Sequence, residues 1–378
     1  MKIRLIMGAA VIAALTLAGC AANEKQETPD TQEQAPEQAP EQAPEPESPQ
    51  AIAGSLAAGG ASAQGAAMDA WRAGFQSVFP DVTIDYDPAG SGPGRENFAA
   101  GGFAFAGTDS AFALEDVAAG EFAACAAGTG IVEVPVYISP IAVGFNLPGI
   151  ETLNLDAVTI AKIFRAEIET WDDPAIADQN PDVGLPSLDI TPVHRSDKSG
   201  TTGNFTDYLA KTAPEVWTDG KVEEWPTDLK GEAAEKTSGV HETIVNAEGT
   251  IGYLDASQAT GMGAAAIKVG DTFVTHSPEA AAAAVALSPI EDGRGPNDVV
   301  VALDRNLTDP STYPLLLVSY IAACESYADP AQGSLVAAFL AHVVSQEGQA
   351  AAAAQAGSAP ITGTALEPKA QAAVATIH

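Results

Sequence analysis

The sequence has 378 residues, of which 46% are hydrophobic and 18% are charged. A chain of this length and composition can bury a large core, so we expect a mostly globular protein organised in two lobes, with disorder only locally. Fifty acidic residues against 17 Lys and Arg give a formal net charge of -33, which excludes a protein that coats nucleic acid or adsorbs to anionic lipid. Small anions are not excluded, because a dry cleft has its own local field and salt screens net charge over about 10 Å.

The N-terminus has the pattern of an export signal. Lys2 and Arg4 precede an apolar run over 5–18 that is too short to span a bilayer and stay there. The run ends in Leu-Ala-Gly-Cys at Cys20, which resembles the bacterial lipobox, whose cysteine is acylated after cleavage just before it. We expect a lipoprotein signal peptide over 1–19 and a lipid anchor on Cys20. An ordinary signal peptide that contains a cysteine is the alternative.

The segment that follows, up to residue 50, repeats Glu-Gln-Ala-Pro three times and has almost no bulky apolar side chain. Proline blocks helix formation and like charges repel one another. Residues 20–50 are therefore predicted to comprise the lipidated Cys20 and an extended tether rich in Pro, Glu and Gln, which itself carries no chemistry.

From residue 51 onward, helix-like and strand-like stretches alternate, which is typical of an α/β fold. Apolar residues recur every three to four positions from Met68 to Val78 and predict a helix, and residues 82–86 alternate as a strand does. Two apolar runs lie far apart in the sequence, at 131–145 and 313–322. Both could be strands that link two lobes.

The cysteines indicate one cross-link. If Cys20 carries lipid, Cys125 and Cys324 remain as a pair in an oxidising compartment, where a disulfide is the default and two separately buried thiols are the alternative. No metal site is expected, since the sequence has only five His and lacks Cys-x-x-Cys or paired-His spacing.

Three segments rich in glycine and serine precede helix-like stretches, at 58–63, 90–94 and 195–203. A helix N-terminus exposes unpaired N–H groups and glycine permits close approach, so each segment can cradle an oxyanion. Each is also explained as a simple helix N-cap. The third is more specific, because Arg195 offers a fork of donors and Asp197 a carboxylate to hold it. None ends in the Gly-Lys-Ser/Thr of a nucleotide-hydrolysing loop.

A fourth segment, at 101–110, contains an apolar run that delivers Asp109 to a predicted strand end. Ligands bind at strand ends of α/β lobes. The alternative is that Asp109 or Ser110 caps the next helix.

Several strings occur in the order found in one family, the phosphate-binding lipoproteins that serve as solute-binding proteins of bacterial ABC phosphate importers. The sequence resembles that family from about residue 57 to the C-terminus. The strings are TWDDPAIA at 170–177, NP at 180–181 with LP at 185–186, VHRSDKSGT at 193–201 and GTIGY at 249–253. The resemblance implies an α/β, two-lobe periplasmic-binding-protein-like fold of type II with a two-strand hinge. It implies no enzymatic activity and no cofactor.

In the family, phosphate is held without water between the lobes, and the resemblance assigns roles to the third segment. It implies that Arg195 donates to phosphate oxygens and that Asp197 orients Arg195. Ser199, Gly200 and Thr201 would supply hydroxyl and backbone donors at a helix start.

The other segments receive roles in the same way. Ser91 would contribute its hydroxyl and N–H groups, and Asp109 would accept a hydrogen bond from the protonated phosphate oxygen. Ser62 keeps a hydroxyl in the first segment, and Ala63 can donate its backbone N–H. Ala63 stands where the family commonly has an aromatic ring, so any shielding by that ring is lost. Lys198 replaces a frequent glycine, and its side chain is expected to point to solvent.

The resemblance also implies the organisation and the partners. Lobe I would comprise residues 51–146 and 319–378, and lobe II residues 147–318, with the two apolar runs as hinge strands and the disulfide inside lobe I. The expected partners are inorganic phosphate and the transmembrane subunits of an ABC permease. The protein is expected to be a monomer on the extracytoplasmic face of the cell membrane, attached only through its lipid anchor.

Three alternatives compete with a phosphate receptor. A receptor for sulfate or another oxyanion is disfavoured by Asp109, which would face an unprotonated oxygen. A hydrolase with His194 as base and Ser196 or Ser199 as nucleophile lacks a Gly-x-Ser-x-Gly elbow. An adhesion or scaffolding lipoprotein would bind no phosphate.

Overall fold

The structure, a computed structural model, describes residues 52–378. The predictions for the signal peptide at 1–19, the anchor at Cys20 and the tether at 20–50 lie outside the described residues. None of the helices within 52–378 is long and apolar enough to cross a membrane.

The described chain alternates strands and helices, as the sequence predicts. The strands are β1 (Gly54–Gly60), β2 (Val82–Asp87), β3 (Phe105–Thr108), β4 (Ile131–Phe145), β5 (Thr152–Leu155), β6 (Thr191–Arg195), β7 (Glu232–Ala234), β8 (Thr250–Asp255), β9 (Gly263–Val269), β10 (Thr272–Val274) and β11 (Leu316–Cys324). The helices are α1 (Gly65–Val78), α2 (Ser91–Ala99), α3 (Leu114–Ala119), α4 (Ala157–Phe164), α5 (Pro174–Ala177), α6 (Gly200–Thr212), α7 (Lys236–Asn246), α8 (Pro278–Ala286), α9 (Pro330–Val343), α10 (Gln346–Ala356) and α11 (Glu367–Val374), with a 3₁₀ turn at Ala256–Gln258.

Two groups of strands share one long strand. The first group has the order β2-β1-β3-β11-β4, in which β1 is parallel to β2 and β3 while β11 is antiparallel to both its neighbours. The second has the order β4-β8-β6-β7, with β9 joining β4 to β5 and β10. Residues 131–140 of β4 pair with β11, and residues 141–145 pair with β8. The chain therefore has the predicted α/β two-lobe fold.

Helix α1 shows both the strength and the limit of the periodicity. Met68, Trp71 and Phe75 are buried on its inner face, but Val78 is 65% exposed. The contact beyond Phe75 is made instead by Phe79, just after the helix, whose ring centroid lies 4.8 Å from that of Phe75. The inclusion of Val78 in the apolar face was therefore wrong.

The predicted disulfide is confirmed. Cys125 and Cys324 are joined, with their Cα atoms 5.2 Å apart, across 199 residues of sequence. Cys324 ends β11, and Cys125 lies between α3 and β4. The cross-link thus belongs to the first group of strands and does not tie that group to the second.

Candidate functional site between the lobes

The third glycine-serine segment turns from a buried strand into a helix. β6 ends at Arg195, and α6 begins at Gly200 with Ser199 as its N-cap, whose Oγ accepts a hydrogen bond from the Thr202 N–H over 3.2 Å. The first turn of α6 is fully buried. Its remaining backbone N–H groups and the positive end of the helix dipole therefore face the interior of the cleft between the lobes.

Arg195 is held in place by a carboxylate. Its Nε donates to Asp197 Oδ1 over 2.8 Å, and a terminal guanidinium nitrogen donates to Asp197 Oδ2. Asp197 also accepts from the Lys236 N–H. Burial alone would raise the pKa of Asp197, but the hydrogen bonds and charge of Arg195 bring it below its usual value. The pair is thus ionised, and the guanidinium has a fixed orientation.

The second segment and Asp109 come together beneath this helix. Gly90, with φ of 109°, turns the chain into α2, and Ser91 Oγ accepts from the Asp109 N–H over 3.1 Å. From the opposite lobe, Thr201 Oγ1 donates to Asp109 Oδ2 over 3.2 Å. A side chain on Gly200 would collide with Ser91 Oγ and the Asp109 Cβ, so only glycine allows this approach.

The first segment completes the contact between the lobes. Ser62 Oγ lies 2.9 Å from Thr237 Oγ1 in α7 and also accepts from the Thr237 N–H. Ala63 is fully buried beside it. All four segments singled out in the sequence therefore meet at one place. The segments at 58–63, 90–94 and 101–110 lie on one side of the cleft, and the segment at 195–203 and the start of α7 lie on the other.

Asp109 is the buried acid of the site. It is only 5% exposed, and burial raises its pKa to about 6, with hydrogen bonds from Ser319 and Thr201 and the charge of Arg195 opposing the rise. Asp255 contributes a further increase through its charge. Near neutral pH the group is therefore predominantly ionised, yet close to the point at which it takes up a proton.

Several residues that the sequence does not single out also support the site. Ser319 on β11 donates to Asp109 Oδ1 over 2.6 Å, and Asn204 Nδ2 donates to the Asp109 carbonyl oxygen over 2.8 Å. Thr237 was missed because its role depends on a contact across the cleft. Ser319 had one visible signal, since it is the polar residue in the apolar run at 313–322.

Two further residues, Lys198 and His194, lie next to Arg195 and Ser199 in the sequence but make other contacts. Lys198 does reach outward, where its Nζ donates to the exposed Glu96 over 3.1 Å. The His194 ring stacks on Trp225 with centroids 4.9 Å apart, and its Nδ1 is bonded to the Arg195 carbonyl oxygen. Neither residue is bonded to the buried cluster around Asp109.

Comparison with known proteins agrees with this architecture. The family model described as a PBP superfamily domain matches residues 44–347, so the fold is that of a two-lobe binding protein of that superfamily. Phosphate-binding protein PstS 3 of Mycobacterium leprae (strain TN) is 33% identical over 296 residues, covering 76% of this chain and 78% of the relative. PstS 3 of Mycobacterium tuberculosis (strain ATCC 25618 / H37Rv) is 34% identical over 292 residues, covering 76% and 77%. The chain belongs to the PstS family of phosphate-binding proteins.

A solved structure shows the same fold. The high affinity periplasmic phosphate-binding protein PfluDING, bound with phosphate, superposes with a TM-score of 0.66 at 20% identity. The alignment covers 84% of this chain and 93% of that protein. At this identity the likeness extends to the fold alone.

Proposed function

We propose that this protein binds inorganic phosphate between its lobes and delivers it to an ABC-type phosphate permease. The observation that carries the proposal is the meeting of an oriented guanidinium, a buried carboxylate and several hydroxyls at one buried place. The contacting groups are those of Ser62, Ala63, Ser91, Asp109, Arg195, Ser199, Gly200 and Thr201, with Asp197 orienting the arginine. The relatives in the PstS family carry phosphate-binding names, which supports the same ligand here.

The high negative charge of the chain does not oppose this proposal. Charge-assisted hydrogen bonds to an anion are each worth roughly 1.5 to 3 kcal/mol once water is excluded. Arg195, the start of α6 and the hydroxyls supply such bonds locally, so the site needs no excess of positive charge elsewhere.

Asp109 favours phosphate over sulfate. Phosphate near neutral pH carries at least one proton and can donate to the carboxylate, whereas sulfate presents only bare oxygens. A sulfate ion in this site would place like charge against like charge.

We propose that the protein is not an enzyme. The hydrolase hypothesis needs His194 to act as a base on Ser196 or Ser199. Instead the His194 ring stacks on Trp225, and Ser199 Oγ accepts from a helix N–H. The membership in a family of binding proteins supports the same view.

The lobe boundaries remain those proposed from the sequence, with lobe I at 51–146 and 319–378, lobe II at 147–318, and β4 and β11 as the hinge. The disulfide lies within the first group of strands, so it leaves motion about this hinge free. We propose a monomer on the outer face of the membrane, anchored by lipid at Cys20.

Calorimetric titration of the soluble domain with phosphate, sulfate and arsenate tests the ligand. We expect tight binding of phosphate and rejection of sulfate at pH 7.5. A domain that binds none of these anions would support an adhesion or scaffolding role, and one that prefers sulfate would assign the site to another oxyanion.

The anchor requires its own test. Cys20→Ser should convert a membrane-associated protein that needs detergent into a secreted or unprocessed one, because acylation supplies the attachment. Cell fractionation measures this. Membrane association that persists after removal of the signal peptide would contradict the lipid anchor.

A further inference from the structure

Asp109 has two carboxylate oxygens in different surroundings. Oδ2 faces Thr201 at the start of α6, whereas Oδ1 faces Ser319 on β11. The ladder between β3 and β11 explains the second contact. Thr108 is opposite Tyr320 in this antiparallel pair. Asp109, one residue after Thr108, and Ser319, one residue before Tyr320, are therefore the next two residues to face each other.

The strand pairing is irregular where Ser319 meets β4. Ser319 is opposite Tyr137, but Tyr320 is opposite Pro135, so Val136 is an extra residue in β4. Such bulges bend the strand and re-aim neighbouring side chains, and they are common beside functional sites. The Val136 carbonyl oxygen accepts from Gln349 Nε2 over 2.9 Å, which stabilises the bulge.

The direction of the hydrogen bond from Ser319 is fixed by Gln64. Gln64 Nε2 lies 3.1 Å from the Tyr320 carbonyl oxygen and 2.9 Å from Ser319 Oγ. A carbonyl oxygen can only accept, so the amide nitrogen must face it. Ser319 Oγ therefore accepts from Gln64, and its single proton must be donated to Asp109 Oδ1.

We propose that Ser319, held by Gln64, is a positioning residue that keeps Asp109 Oδ1 a hydrogen-bond acceptor and leaves only Oδ2 to sense the proton of the bound anion. This inference rests on the proposed phosphate site and concerns how that site selects protonated anions. A carboxylate that receives a fixed donor is favoured in its ionised form. Without that donor, burial would neutralise Asp109 at a higher pH, and the neutral acid could donate to a fully deprotonated anion.

The other titratable groups facing Asp109 are few among the described residues. Arg195 from β6 opposes protonation of Asp109, and Asp255 from β8 favours it. Burial raises the pKa of the Tyr86 hydroxyl from β2, and the charge of nearby Asp109 raises it further. None of these groups is bonded to Ser319. Removal of the Ser319 hydroxyl should therefore act on Asp109 directly.

The test uses the protein without its signal peptide and lipid, and it measures the pKa of Asp109 and the pH dependence of sulfate binding. Carbon-detected NMR titration of the Asp109 carboxyl in the absence of ligand should show Ser319→Ala raising its pKa by about one to two units, the shift expected for one lost bond to a charged group. Calorimetric titration with sulfate between pH 5 and 8.5 gives the pH above which sulfate no longer binds. In Ser319→Ala this pH should be higher than in the wild type by the same amount. Phosphate binding should persist, which shows that the variant is folded.

Two variants complete the design. Gln64→Leu frees the Ser319 hydroxyl to rotate. It should raise the pKa of Asp109 and the pH limit of sulfate binding as Ser319→Ala does, but by less. Ser358→Ala removes a mostly buried hydroxyl beside Ala359, which bridges Ile138 of β4, and should shift neither. An unchanged Asp109 titration in Ser319→Ala, with phosphate binding to the wild type intact, would overturn this inference alone. A wild type that binds no phosphate would overturn the proposed function with it.

Discussion

At the scale of single residues, the orientation of Arg195 is set before any ligand arrives. Asp197 occupies Nε and one terminal nitrogen, which leaves the other donors of the guanidinium directed away from it. Because the side chain is only 3% exposed, its remaining donors meet little competition from water. Pre-organisation of this kind reduces the entropy lost on binding.

Arg195→Ala should weaken phosphate binding by roughly 2 to 5 kcal/mol, because it removes a buried charged donor and leaves Asp197 uncompensated. Arg195→Lys should restore only part of the loss, since an ammonium cannot reproduce the planar fork. Calorimetric titration measures both. Arg165→Ala is the control, because Arg165 is also ion-paired with an aspartate, Asp219, but is bonded to none of the residues proposed to contact phosphate. Unchanged affinity in the Lys variant would place Arg195 outside direct contact with the anion.

Asp109→Asn should allow sulfate to bind. The change removes the like-charge repulsion and adds an amide donor, while phosphate can still be held by the other groups. Sites built around a required hydrogen bond discriminate by up to about 10⁴ to 10⁵, so selectivity should fall by a large part of that range. Titration of both anions decides the matter, with the exposed Asp116→Asn as the control. A variant that excludes sulfate as strongly as the wild type would reduce Asp109 to a structural role.

At the scale of elements, the first segment depends on how closely β1 approaches β3. Gly60 has φ of 136°, and a Cβ there would collide with the Gly107 carbonyl oxygen. That same oxygen accepts from the Ala61 N–H over 2.8 Å, which starts the turn towards Ser62 and α1. The approach of the two backbones therefore positions the Ser62 hydroxyl that contacts Thr237.

Gly60→Ala should lower the free energy of unfolding by about 2 kcal/mol or more, through strain at positive φ and displacement of β3. Phosphate affinity should fall as well, because Ser62 moves. Denaturant unfolding and calorimetry measure the two effects. Gly65→Ala is a matched control, since no atom lies within 4 Å of its added Cβ and it begins a helix. Equal stability of the two variants would contradict the close approach.

Local sequence patterns predicted much of the fold. They also located the three glycine-serine segments and the segment that carries Asp109. Periodicity is enough to locate α1 and β2, because apolar residues recur at the helical spacing from Met68 to Phe75 and alternate along Val82–Asp87. Ser319 could not be assigned, since its meaning depends on a bulge and on the pairing of two strands 210 residues apart. Thr237 could not be assigned either, because no local pattern records which helix of one lobe meets Ser62 of the other.

At the scale of the whole molecule, the two lobes are joined at the cleft by polar contacts of unequal burial. Arg95 on α2 donates to Glu223 Oε2 over 2.5 Å and also to Thr108 Oγ1 and the Ser110 carbonyl oxygen. The Glu223 backbone carbonyl in turn accepts from the Ser199 N–H. This contact therefore links the strand end that carries Asp109 to the start of α6.

A second ion pair, between Lys198 and Glu96, also crosses the cleft, but it is more exposed to water than the Arg95–Glu223 pair. The side chains of Arg95 and Glu223 are 12% and 15% exposed, whereas those of Lys198 and Glu96 are 38% and 66% exposed. Water and salt screen the exposed pair, so its contribution to closure should be small. The buried pair should determine how long the lobes stay together around a ligand.

Glu223→Gln should speed release of phosphate, because the amide keeps the shape of the side chain but removes its charge and leaves Arg95 only partly compensated. The binding free energy of phosphate should fall by about 1 to 2 kcal/mol, as expected for a mostly buried pair. This corresponds to a dissociation rate roughly 5- to 30-fold faster, with little change in the association rate. Glu96→Gln should change the rate less than about twofold, because its pair is exposed. Stopped-flow displacement of phosphate from both variants measures the rates, and calorimetry confirms that each still binds. Equal dissociation rates would mean that burial of the Arg95–Glu223 pair does not control opening, and that closure depends on the contacts of Ser62 and Asp109 instead.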